Sequence, residues 1–313
     1  MPARPAPAVE WPSILLALVI YSGWLALTWF HAALPLWLLV PLAGWFCAWQ
    51  SSLQHETIHG HPTKWVWLNH WLGLPPLLLF LPYEAYRVSH LTHHRDERLT
   101  DPLDDPESYY WTPEDWEKLS GLKRWLVQCQ TTLLGRVLLG PPWVAGRYLV
   151  QEFTLVWGGS RLHRRIWVKH LAAVALVLAW VCLVCGMSFW LYLLAFVYPG
   201  TALMLVRSFA EHRAVENTPE RIAIVEHAPL MGLLYLHNNL HAVHHEIPGM
   251  PWYEIPGYYR RHRTKILRDN GGLVYNGYLD VIRRYGLTPH DRPVHPMGRV
   301  PGQSGKVAGF PAR

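Results

Sequence analysis

The chain has 313 residues, of which 51% are hydrophobic and only 16% charged, and it carries a net charge of +6. A soluble domain is about 25% charged, and here the apolar residues gather in long runs, so the composition excludes an ordinary water-soluble enzyme and points to a membrane protein. The positive balance would suit nucleic acid, but the basic residues flank the apolar runs, and no nucleic-acid partner is expected.

A helix rises 1.5 Å per residue, so about 20 apolar residues cross a hydrocarbon core. Trp11 to Phe30 fits one span, and 34–50 fits a second after a turn too short for anything but a hairpin. The N-terminus lacks a cleavable-signal pattern, and the first run is expected to stay as an anchor. The stretch Trp65 to Pro82 is apolar but holds Asn69, His70 and Pro75-Pro76, which predicts a re-entrant or interfacial segment. Trp125 to Trp157, with Gly135, Gly140, Pro141, Pro142 and Gly146, reads the same way. Two further spans follow, 166–185 and 189–209, separated by Gly186-Met187-Ser188. Cys182 and Cys185 form a CxxC inside a span with no second pair, which predicts membrane packing and no disulfide or zinc site. Beyond residue 295 the chain is rich in Gly and Pro, a flexible tail over 296–313.

No Lys or Arg occurs between Arg4 and Lys64, and neither tight turn is basic. The positive-inside rule then puts the N-terminus, the 51–165 loop and 210–295 in the cytoplasm. The expected architecture is an all-α integral membrane protein, with four transmembrane helices and a cytosolic helical cap over 1–295.

Nineteen histidines are the anomaly. Nine fall in tight motifs or beside a span: His55 and His59; His90, His93 and His94; His212; and His241, His244 and His245. Residues i and i+4 share a helix face, as do i and i+3. In each HxxHH the first histidine can thus serve one ion with one partner while the remaining residue serves another. Span parity places all nine on one membrane face. Nine ligands exceed the needs of one ion and suit two. Imidazole binds zinc, copper, iron and nickel, and iron can cycle through oxidation states where zinc cannot. Acidic residues after the second motif, Asp101, Asp104, Asp105 and Glu107 with Asp96 among them, are candidates to hold the ring N–H groups. His237, four residues before His241, is a candidate ligand or supporting neighbour, and Asn238 and Asn239 are candidates for either support or helix capping. No catalytic residue beyond the ligands stands out.

His55-Glu56-Thr57-Ile58-His59 also matches the HExxH of zinc proteases, an alternative that leaves both HxxHH motifs without a purpose. A metal transporter would need polar residues along a path inside the spans, and these spans have almost none.

In these boxes the chain resembles the membrane fatty acid desaturases. His55/His59 match the HxxxH box, His90/His93/His94 the HxxHH box, and His241/His244/His245 the distal HxxHH box. His212, in Glu211-His212-Arg213, is similar to the additional ligand at the end of the fourth span in some members. The resemblance covers roughly residues 10 to 265 and implies a non-haem di-iron centre at the cytosolic face. It also implies O2 as co-substrate and an acyl or lipid substrate that gains a double bond. Hydroxylases and carotenoid ketolases share these boxes, and His55 to Gly60 and His244 to Trp252 keep the ketolase option open. No electron-carrier domain is fused to the chain, so a separate ferredoxin, rubredoxin or similar carrier and its reductase are implied partners. Its features lean toward compact bacterial members, which implies an inner-membrane location.

Overall fold

The computed structural model describes residues 8–297. The tail expected over 296–313 therefore lies, past residue 297, outside the described residues, and so does the side chain of Asp96. Helices dominate. In chain order they include α1 (Trp11–Trp29), α2 (Leu36–Ile58), α3 (Val66–Gly73), α4 (Tyr83–His93), α5 (Pro113–Lys118), α6 (Gly121–Cys129) and α7 (Leu133–Trp157). Then come α8 (Arg161–Val184), α9 (Phe189–Glu211), α10 (Pro229–Leu234), α11 (His241–Glu246), α12 (Ile255–Asp269) and α13 (Gly277–Tyr285). Two short parallel strands, Ile224–Glu226 and Val274–Asn276, pair in register.

Four of these helices, α1, α2, α8 and α9, are long and apolar enough to cross a membrane. Their packing relies on close backbone approach, as is usual where lipid tails compete with side chains for contact. Gly44 of α2 faces Pro199 of α9, where an added Cβ would sit 2.8 Å from the proline Cβ. Gly200 faces back on Cys47, where a Cβ would lie 2.7 Å away. The cysteines Cys182 and Cys185 are free thiols.

The second long helix does not stop near residue 50. It runs on to Ile58 because the polar residues that look like a loop are buried and bonded. Gln50 Nε2 donates to Pro75 O at 2.8 Å, and Gln54 Nε2 to Gly73 O at 2.8 Å. His55 thereby rides on the same rigid rod as the apolar span.

Those two bonds also explain the segment after α3. From Leu74 to Pro82 the chain is irregular and wedges among the long helices, with Leu77 and Leu78 buried beside Leu39, Val181 and Phe196. Irregular backbone in such surroundings needs protein partners. Tyr192 Oη donates to Leu77 O at 2.8 Å and accepts from Trp24 Nε1 at 3.1 Å, and His170 Nε2 meets Leu79 O at 2.7 Å.

The region from Trp125 to Trp157, read from sequence as re-entrant or interfacial, keeps its glycines and prolines within helices. It forms the end of α6 and then one continuous helix of 25 residues. Proline inside a helix removes the bond to the carbonyl four residues back. For Pro142 that carbonyl is Leu138 O, and Tyr198 Oη of α9 supplies the missing donor at 2.6 Å. The docking of α7 on α9 thus repairs the defect that the proline introduces.

The four long helices share one end. The chain before α1 bridges the chain after α2 through Val9 and Thr63, and His61 Nδ1 meets Glu10 Oε1 at 2.6 Å. At the other end Trp29 stacks on Trp180. The smaller helices gather at the first end, where α11 packs through Leu240 and Val243 against Ile255, Tyr259 and Ile266.

Tyr192→Phe should leave both Leu77 O and the Trp24 N–H without a partner, at a cost of about 1–3 kcal/mol. The expected result is a lower thermal midpoint of the purified protein in detergent. An unchanged midpoint would show that the wedge does not depend on this hydroxyl.

Candidate metal centre

All nine motif histidines meet at that shared end of the helices, and they sort into two groups. His55, His59, His90, His94 and His244 form one, and His93, His212, His241 and His245 the other. Within each group the ligand-capable nitrogens all lie within 4.8 Å of one another. The two HxxHH motifs divide in opposite senses. On α4, His90 and His94 serve the first group and His93 the second; on α11, His241 and His245 serve the second and His244 the first. The i, i+4 pair keeps to one face while the residue between points to the neighbour, as helix geometry requires.

The nitrogens face one another closely. In the first group His59 Nε2 and His94 Nε2 each lie 3.0 Å from His90 Nε2, and His244 Nε2 lies 2.9 Å from His94 Nε2. In the second, His212 Nε2 is 3.1 Å from His93 Nε2 and 2.9 Å from His241 Nε2, and His245 Nε2 is 3.2 Å from His241 Nε2. Lone pairs brought this close repel unless a cation lies between them. With a metal–nitrogen bond of about 2.1 Å, neighbouring ligands stand about 3.0 Å apart in an octahedron and about 3.4 Å apart in a tetrahedron. The close spacings are short enough for neighbouring rings to share one ion.

Electrostatics keep most of these rings in the form that binds metal. Burial, and after it the neighbouring imidazoles, hold His90, His94, His212, His241 and His244 below the usual histidine range, so they are neutral at pH 7. His93 behaves differently. Burial opposes its charge, but Asp105 and Glu107 outweigh burial and lift its pKa to about 9. It is the most electron-rich donor of its group, and a metal would displace its proton.

Carboxylates and an amide hold the rings from behind. Asp105 Oδ1 accepts from His93 Nδ1 at 3.0 Å, and Glu107 Oε1 from His90 Nδ1 at 3.2 Å. Such partners fix the tautomer and aim the other nitrogen inward. Burial tends to raise the Asp105 carboxyl, yet His93 and two backbone N–H donors, from Thr100 and Glu107, hold it below its ordinary value. The other acids of that run serve elsewhere. Asp101 accepts from the backbone of Leu103 and Asp104, and Asp104 pairs with Arg98 at 2.8 Å.

Two residues expected from sequence to support the rings make other contacts in the structure. Asn239 turns away from the histidines and clamps the first strand, its Nδ2 donating to Val225 O at 2.7 Å. Its neighbour Asn238 takes the supporting position, with Oδ1 accepting from His241 Nδ1 at 2.9 Å and Nδ2 lying 3.5 Å from His55 Nε2. It therefore touches both groups. His237 belongs to neither group; the tight turn at Leu236 and His237, both with positive φ, swings its ring onto Trp252. Asp96 falls outside what can be described.

Glu211 and Arg207 were not singled out in the sequence. Arg207 Nε and Glu211 Oε1 form an ion pair at 3.0 Å, and that oxygen lies 3.4 Å from His241 Nδ1. The available signal was their position, since charges inside an otherwise apolar span are rare and mark function. The HExxH match also resolves. His55 and His59 sit in a group of five, and Glu56 is buried with its Oε2 accepting from Trp252 N at 3.3 Å. A zinc protease would need a three-ligand site with its glutamate facing water.

Replacing Asp105 by Asn should weaken metal binding at the second group by about 10–100-fold. After dialysis against a chelator, elemental analysis should find roughly one metal per chain fewer than in the native protein. Asp104→Asn, which touches only Arg98 and its own turn, should retain the native metal content; equal losses in both would overturn the assignment.

A comparison with curated proteins gives no match. The sequence profile described as Fatty acid desaturase matches residues 32–277. That stretch takes in α2, α8 and α9 and all nine histidines, and on it the chain belongs to the fatty acid desaturase family, whose members are oxidoreductases.

Proposed function

We propose that the chain is an O2-dependent desaturase that introduces a double bond into a fatty acyl or lipid-like substrate, with two iron ions held by the nine histidines. The observation that supports this best is the division of nine convergent imidazoles into groups of five and four, each compact enough to hold one ion. Bound iron would supply the activation of dioxygen that an unactivated C–H bond demands. The protein's part is to hold and orient. Asp105, Glu107, Asn238 and Glu211 fix the rings. Neutral ligands would leave the ions' charge undiminished, and the buried carboxylates of Asp105, Glu56 and Glu211 lie close enough to offset part of it.

The reaction balances only with outside reductant. Removing two hydrogens from the substrate and reducing O2 to two waters takes two further electrons and two protons. A separate carrier such as a ferredoxin or rubredoxin, with its reductase, is the proposed source. The four apolar helices are proposed to lie in a bacterial inner membrane with the histidines at the cytoplasmic side, which follows the distribution of Lys and Arg.

The test combines metal analysis of purified protein with lipid profiling of a host that expresses the chain. About two irons per chain and a new double bond, lost in His244→Ala, are expected. A new hydroxyl or keto group that is lost in the same variant would replace desaturation by hydroxylation or ketolation. One tight zinc and no iron would sink the reading.

A further inference from the structure

A cavity of about 260 Å³ opens against His90, His93, His212 and His241. A smaller one of about 60 Å³ lies toward Trp143 and Pro293. Tyr109, Arg136, Val144 and Arg147 line both, so these residues stand at the boundary between them.

Arg136 is the unusual member. It is only 7% exposed. Its Nε donates to Gln130 O at 3.0 Å, and its guanidinium lies 4.8 Å from the centre of the Tyr109 ring and 5.9 Å from that of Phe209. Among the described residues no carboxylate comes within ion-pair distance of it, and its two terminal nitrogens make no hydrogen bond to protein. The nearby acids are taken. Glu211 pairs with Arg207, Asp105 with His93, and Asp291 accepts from Tyr110. A buried cation without a counter-ion is costly to keep. Aromatic faces offset part of that cost but leave the fork of N–H donors unused. A guanidinium fork matches a carboxylate in two parallel hydrogen bonds.

We propose that the substrate carries a free carboxylate, bound by Arg136, with its hydrocarbon lying in the larger cavity toward His93, His212 and His241. The inference rests on the reading of the chain as a C–H oxidase and narrows its substrate to an acid. A neutral lipid would leave the Arg136 charge unmatched.

Binding of octanoate, methyl octanoate and octyl phosphate to the full-length protein in detergent, measured by calorimetry, tests this without turnover. Octanoate should bind native protein at least tenfold more tightly than the ester. Arg136→Gln should remove that preference by weakening octanoate alone, and Arg136→Lys should keep part of it. If Arg136→Gln does not fold, the native protein and Arg136→Lys still decide the matter. Equal binding of acid and ester, or an acid preference that survives in Arg136→Gln, would overturn the proposal. Tighter binding of octyl phosphate than of octanoate would overturn it in favour of a phosphate head group. The two readings fail separately. An acid preference without any oxidised product in the host would count against the oxidase, whereas a His244-dependent product without an acid preference would count against Arg136 alone.

Discussion

Nine imidazole lone pairs aimed at two small volumes are a concentration of like-oriented dipoles that no apolar core would adopt spontaneously. Something must hold the rings there against their mutual repulsion, and much of the fold does so. The long helices deliver three of the nine: His55 lies on α2 and His59 directly after it, His212 directly follows α9, and Glu211, the last residue of α9, braces His241. The loops deliver the supports, with Asp105 fixed by two backbone donors before it accepts from His93. The strand pair fixes the entry to α11, because Val225 exchanges hydrogen bonds with Asn239 just before the distal motif begins.

Rigidity of that kind must come from below the site. The wedge Leu74–Pro82 ties the spans together by side-chain bonds to bare carbonyls, from Gln50, Gln54, Tyr192 and His170. It leads directly into α4, which bears three of the nine ligands. Errors in the packing of the apolar layer would therefore propagate into the position of His90, His93 and His94. The repair of the Pro142 defect by Tyr198 works in the same direction, since α7 carries Arg136 and walls the cavity that reaches the histidines.

Much of this was legible in the sequence because the signals were either long or chemically rare. Twenty-residue apolar runs leave little choice of structure in lipid, and i, i+4 histidines have one geometric meaning on a helix. What sequence could not resolve was long-range satisfaction of polar groups. Read from sequence, the span ends at Gln50 because the acceptors that bury Gln50 and Gln54, Pro75 and Gly73, lie about twenty residues on. The stretch around the prolines of α7 reads as re-entrant or interfacial because their remedy, Tyr198, belongs to another helix. Asn238 and Asn239 are indistinguishable by composition, and only the turn at Leu236 and His237 decides which one faces the rings.

The opposite division of the two HxxHH motifs has a mechanical meaning. Because α4 and α11 each give ligands to both groups, neither helix can rotate or slide to tighten one group without disturbing the other. Asn238, in contact with His241 and His55, adds a third tie across the same boundary. The distance between the two coordination volumes is thus a property of a cross-braced pair of helices, fixed without a shared carboxylate between them. A displacement of either helix would therefore register in both groups at once, so the two groups form one mechanical unit.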